Sequence, residues 1–153
     1  MSISLIIGRL LYLIITQPYL SYFVQVLSQF MQDPRQPYLI AVMHVLLHYI
    51  KSSHGQGLFI PSSSTLQLAS YCDSDWVSCP ITRRSTSGYI VFLGDSPIFW
   101  KSKKQVTVSY SSAEAECRAM ASATSELIWL CSLLLDLQID CSSPTYLYIA
   151  TTK

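Results

Sequence analysis

Charge is scarce in this chain. Only 12% of its 153 residues are Asp, Glu, Lys or Arg, against about 25% in typical soluble domains. The net charge of +1 excludes a general electrostatic attraction for nucleic acid, so any such contact needs a local patch. Paired cysteine motifs are missing as well. Cys72, Cys79, Cys117, Cys131 and Cys141 are odd in number and contain no C-x-x-C. This argues against a zinc site and for reduced thiols in an intracellular protein, cytoplasmic or nuclear and not secreted, with Cys117 and Cys131 on a helix. Long apolar runs are also absent. Ile3 to Ile15 is split by Gly8-Arg9 and falls short of the roughly 18 to 20 residues a membrane span needs. A secretory signal is disfavoured too, because Arg9 lies inside the apolar core and Thr16-Gln17-Pro18 follows it. The run reads as a buried helix, with a membrane-associated role as the less favoured alternative.

What is present is hydrophobic material, half of all residues. The length suits one domain, or a small domain plus a segment of another. Either the surface is unusually apolar, or some of it is meant to be covered by further chain. The spacing predicts helices over residues 5–15, Leu20 to Met31 and Leu39 to Lys51, separated by turns at Pro18 and at Asp33-Pro34-Arg35-Gln36-Pro37. Leu20, Phe23, Val24 and Leu27 fall on one side of the second, and Val42, Val45, Leu46 and Tyr49 on one side of the third. None of these helices carries a glycine loop, nucleophile elbow or acidic pair. His44 and His48 have the i,i+4 spacing of zinc proteases, but Val45, Leu46 and Leu47 leave no general-base Glu between them. They read as two histidines on a half-exposed helix.

From Leu58 the period becomes strand-like. Leu66 to Asp73 alternates, Ser78 to Ser87 is a polar loop with Arg83-Arg84, and Gly88 to Leu93 and Ile98 to Lys101 are further strands, which Val106 to Ser109 continue. Ser111 with Glu114 forms a capping box that opens a helix through Met120, Leu127, Leu130, Leu133, Leu134 and Leu137, with a kink near Ser122 to Ser125. Tyr146 to Ala150 is the last strand. A strand, helix and strand in one sheet imply a right-handed parallel crossover. The predicted fold is therefore α/β: three antiparallel strands, a helix, and one parallel strand beside the first, with helices before them.

Two acidic stretches carry the chemistry. A strand-borne Asp73 and a helix-borne Glu114 can converge on one divalent cation. Each also has a plainer reading, Asp73 as a strand-end solvating acid and Glu114 as a helix cap. Asp75, on the same strand face as Asp73, reads as a structural partner for Arg83 or Arg84. Lys101, Lys103 and Lys104 are either phosphate contacts or a solvated, gatekeeping edge.

Four runs then carry a family likeness: Tyr71-Cys72-Asp73-Ser74-Asp75-Trp76, Thr82 to Tyr89, Trp100 to Gln105, and Ser111 to Glu116. Together they closely resemble the ribonuclease H domain of copia-type retrotransposon Pol polyproteins. Residues 1–57 resemble the segment joining that domain to the reverse transcriptase, through Leu11-Tyr12-Leu13, Thr16-Gln17-Pro18, Leu27 to Met31 and His48 to Lys51. Residues 58–153 then correspond to an incomplete ribonuclease H-like domain. In that family four acids hold two Mg²⁺ ions that cut the RNA strand of an RNA–DNA hybrid. The resemblance assigns two of them to Asp73 and Glu114.

The departures from the pattern are specific. Ala150 stands where the third acid belongs, and the fourth is expected beyond residue 153. Cys117 replaces a usual tyrosine and Tyr110 a common arginine. Gln17 and Tyr19 stand in for the ends of an Arg-Pro-Asp run, and no Tyr-x-Asp-Asp occurs. The expectation is a degenerate polyprotein fragment, ancestrally a hybrid-cutting enzyme, with only vestigial Mg²⁺ binding. Two alternatives stand beside this expectation: a residual Mg²⁺-dependent nuclease completed by a partner chain, and a non-catalytic interaction or regulatory protein. The implied partners are RNA–DNA hybrid and other polyprotein segments.

Overall fold

The computed structural model describes residues 8, 10–28, 36–52, 57–140 and 145–150. The chain forms two compact units, Met1–Leu58 and Phe59–Lys153. In the first, residues 10–13 are helical, a 3-10 turn spans Pro18–Leu20, and helices α1 (Ser21–Ser28) and α2 (Gln36–Ser52) follow. Pro18 sits at the start of the turn and Gln17 before it is extended, with φ −130° and ψ 83°, the restriction proline imposes on its predecessor. The first predicted helix therefore ends short of Ile15; residues 5–7 lie outside the described residues, as do Phe30 and Met31.

Leu20, Val24 and Leu46 are buried there against Leu10, Leu13, Ile14, Leu27 and Tyr49. The Tyr49 hydroxyl donates to Gln17 Oε1 at 3.1 Å. Phe23, expected on the core side, is exposed instead; within α1 the buried residues are Ser21 and Val24, with Leu27 partly buried beside them. The side chains of Val42 and Val45 lie outside the described residues. His44 and His48 are both exposed.

The second unit holds strands β1 (Leu68–Asp75), β2 (Thr86–Leu93), β3 (Ser96–Lys104) and β4 (Tyr146–Ile149), with helix α3 (Ser112–Asp136) between the last two. The sheet order is β3-β2-β1-β4. β1 pairs antiparallel with β2, β2 antiparallel with β3, and β4 parallel with β1. This is the α/β mixed sheet the alternation predicts, consistent with a partial ribonuclease H-like fold. Leu68, Ser70 and Cys72 of β1 and Tyr89 and Val91 of β2 are buried beneath α3, as period-two alternation requires. α3 answers with Ala115, Ala119, Ala123, Leu127, Leu130 and Leu134. Alanines fill its first half, so that end can lie close to the sheet; leucines fill the second half and complete the core. By length and composition alone α3 passes for a membrane span, but this stripe is spent on the sheet.

One expectation fails here. Val106 to Ser109 is not a strand but a series of bends, with Val106 75% exposed, because the chain turns inward at Gln105. α3 continues as one helix through Ser122 and Ser125, whose hydroxyls donate to the Arg118 and Ala121 carbonyls, the back-bonding that bends a helix without ending it.

The β2–β3 turn depends on Gly94, at φ +59°. Its N–H donates to the Gln67 carbonyl at 2.8 Å, and an added Cβ would collide with the Ser64 hydroxyl and the Thr65 carbonyl. Gly94→Ala is therefore expected to destabilise the chain by about 2 kcal/mol. Urea unfolding measures it, and an unchanged midpoint would refute the account.

Candidate functional site

β1 delivers Asp73 near its carboxyl end, opposite Gly88 of β2. Alternation from Leu68 puts Asp73 on the face away from α3, exposed, with Oδ1 accepting from the Ser74 N–H at 2.8 Å. Tyr71 shares that face, and its ring stacks on Tyr148 of β4 with centroids 4.8 Å apart. The parallel register pairs Cys72 with Ile149, and the Ala150 N–H donates to the Cys72 carbonyl at 3.0 Å. Position 150 thus stands next to Asp73 across neighbouring strands, on the Tyr71–Tyr148 face. The side chain at position 150 is a methyl group, which offers no ligand beside the Asp73 carboxylate.

Glu114 comes from the first turn of α3, which packs on the opposite side of the sheet. Its N–H donates to Ser111 Oγ at 3.2 Å, the predicted cap. The return bond is shifted by one residue: Glu114 Oε2 accepts from the Tyr110 N–H at 2.7 Å. Oε1 accepts from Arg118 Nη2 at 2.6 Å, and Arg118 Nη1 donates to Thr107 Oγ1. Both carboxylate oxygens are thereby engaged. The Tyr110 N–H foremost, and the Arg118 guanidinium with it, hold this carboxyl below its usual range against a partial opposing desolvation.

The two segments meet through a neutral side chain. Gln105 is buried, and its Nε2 donates to Ser87 Oγ at 2.8 Å and to the Ala115 carbonyl at 2.9 Å, with Ser74 Oγ at 3.4 Å. Its Oε1 accepts from Ser109 Oγ at 2.8 Å, while its backbone N–H donates to the Ser85 carbonyl. One amide therefore links β1, β2 and the start of α3. Among the described residues no three His, Cys, Asp or Glu side chains gather to hold a metal ion. The donor set, one exposed aspartate and one glutamate already bonded at both oxygens, does not fit a two-Mg²⁺ centre.

The lysines are separated as well. Lys101 Nζ pairs with Glu126 at 3.3 Å, and Lys104 Nζ donates to Cys79 Sγ at 2.9 Å and to Thr82 Oγ1 at 3.4 Å. Lys103 is exposed on the strand. The Lys104 ammonium, with Thr82, pulls the Cys79 thiol down to about 6. Burial, and then the charge of Asp73, push Cys72 up. Asp75 pairs with neither Arg83 nor Arg84: positive φ at Val77 and Arg83 folds that loop onto itself, the Arg83 N–H donating to the Cys79 carbonyl. Sequence reasoning missed Gln105, Arg118 and Cys79. Arg118 was readable as the i,i+4 partner of Glu114; nothing local marks the other two.

No protein-family profile matches the chain, and no solved structure matches it significantly. Curated relatives do. The retrovirus-related Pol polyproteins from transposons RE1 and RE2 of Arabidopsis thaliana are 44% and 46% identical over 94% of this chain. The chain spans about a tenth of their length. The secreted RxLR effector protein 161 of Plasmopara viticola is 42% identical over 81% of this chain and 87% of its own length.

Two outcomes follow from the geometry. Gln105→Leu strands the hydroxyls and carbonyl that the amide satisfies, and is expected to cost about 2 kcal/mol in urea unfolding; wild-type stability would remove the hub from the argument. Because folding lowers the Glu114 pKa from its ordinary 4.5, its contribution is present above that value and is lost as pH falls through the folded one. Thermal unfolding followed downward from neutral pH should therefore fall less steeply for Glu114→Gln than for wild type, and parallel curves would contradict the assigned bonds.

Proposed function

Because 94% of this chain is similar to part of the retrovirus-related Pol polyproteins of transposons, we propose that it is a fragment of such a polyprotein and that its second unit is a copia-type ribonuclease H-like module that no longer cleaves. Residues 1–57 take the part of the connection to a reverse transcriptase. The observation that carries this reading is Ala150 beside Asp73. Two carboxylates about 4 Å apart repel by roughly 4 kcal/mol at an effective dielectric of about 20, and a shared cation relieves that repulsion. With alanine at position 150 that local reason to gather Mg²⁺ is lost. Glu114, the other acid the resemblance assigns, serves as cap and ion-pair partner instead. RNA–DNA hybrid remains the proposed partner, held through backbone phosphates rather than cut, and the free thiols among the described residues suit a reducing intracellular compartment.

The test is a nicking assay with the full chain, a labelled RNA–DNA hybrid and Mg²⁺. The hybrid is expected to stay intact. Mg²⁺-dependent cleavage that disappears in Asp73→Asn would overturn the proposal and establish a working nuclease.

A further inference from the structure

The face of the sheet turned away from α3 carries a cavity of its own, of about 460 Å³. Ala69 and Tyr71 of β1, Ile90 and Phe92 of β2, and Gly94 and Asp95 of the β2–β3 turn line it. The register accounts for the room. Ala69 lies opposite Phe92 and Ile90 opposite Tyr71, so neither ring has another ring directly across from it, and the alanine methyl leaves the space beside Phe92 open. The two rings stand at 83° with centroids 5.8 Å apart. Tyr148 stacks on Tyr71 from β4 and so limits its rotation. Asp95 is the single charged residue of the lining. It is exposed, its N–H donates to Ser64 Oγ at 3.0 Å, and among the described residues no ion pair engages its carboxylate.

We propose that this pocket binds a quaternary ammonium group, with Tyr71 and Phe92 as its walls and Asp95 as its counter-charge. Rings near a right angle offer π surfaces on two sides of a rounded cation, and their electron-rich faces attract it. The lining holds no Lys, Arg or His, so an anion finds no partner there. Apart from the Asp95 carboxylate and the Tyr71 hydroxyl it also offers no side-chain acceptor. The N–H bonds of a primary ammonium or a guanidinium would therefore be left largely unmatched. A fully methylated nitrogen has no N–H to satisfy, and its methyl groups lie against Ala69 and Ile90. The site draws on none of the acids or lysines assigned to hybrid cleavage or binding, and it stands or falls apart from that reading.

Choline titrated onto the full chain tests this, with binding read from the amide resonances of Tyr71, Phe92 and Asp95. Saturable shifts are expected. The neutral alcohol in which carbon replaces the nitrogen of choline has the same shape without the charge, and should bind about tenfold more weakly. Phe92→Leu, which keeps an apolar side chain, and Asp95→Asn should each weaken choline binding about tenfold. Asp136→Asn, which removes the same charge from the exposed end of α3, should leave it unchanged. A peptide carrying trimethyllysine is titrated beside choline: binding of either supports the site, the tighter of the two identifies the carrier of the group, and binding of neither overturns it. Equal affinity for the neutral analogue, or wild-type affinity in both pocket variants, would likewise reject the cation site.

Discussion

The second unit depends on one buried amide. Gln105 presents two N–H bonds and one carbonyl oxygen, and its neighbours satisfy all three. An amide left unmatched at such depth costs free energy comparable to several weak contacts. The chain around it is therefore constrained. The strand must end at Lys104 so that Gln105 can turn inward, and Val106 to Ser109 must leave the sheet. Ser109 is drawn in as a donor to the amide, and its carbonyl in turn accepts from Trp76 Nε1 at 3.1 Å. The N-terminus of α3 is then fixed over β1 and β2, and the alanine stripe follows from that approach.

Much of this was legible in the sequence. Alternation marks the strands, and Ser111 with Glu114 marks the helix start. The β4 assignment rested on a crossover rule, and the parallel pairing with β1 obeys it. The parity of Asp73 was legible too: Leu68, Ser70 and Cys72 take the core side, which sends Asp73 to the other. What the sequence did not reveal are contacts between distant segments. Val106 to Ser109 carries the β-branched composition of a strand, and only a buried glutamine, whose bonds reach Ser87 and Ala115, overrides it. The Cys79–Lys104 pair and the unpaired Asp75 likewise depend on how one loop folds back, which residue spacing does not encode.

The chain's Pol ancestry and its low charge agree in one respect. α3 buries one stripe but leaves Ile128, Trp129, Leu135 and Leu137 largely in solvent, and the face of the sheet away from it exposes Tyr71, Tyr146 and Tyr148. In a polyprotein such surfaces are ordinary, since neighbouring segments travel with them. The backbone bonds between β1 and β4 do not depend on the side chain at position 150.

The tyrosine ladder has a kinetic consequence. Tyr71 stacks on Tyr148, which stacks on Tyr146, so β4 is fastened to a strand from which β2, β3 and α3 all separate it in the chain. Closing so long a loop forfeits more chain entropy than zipping the adjacent hairpins. β4 is therefore the last strand to dock during folding and the first to let go, and the aromatic stack serves as its latch.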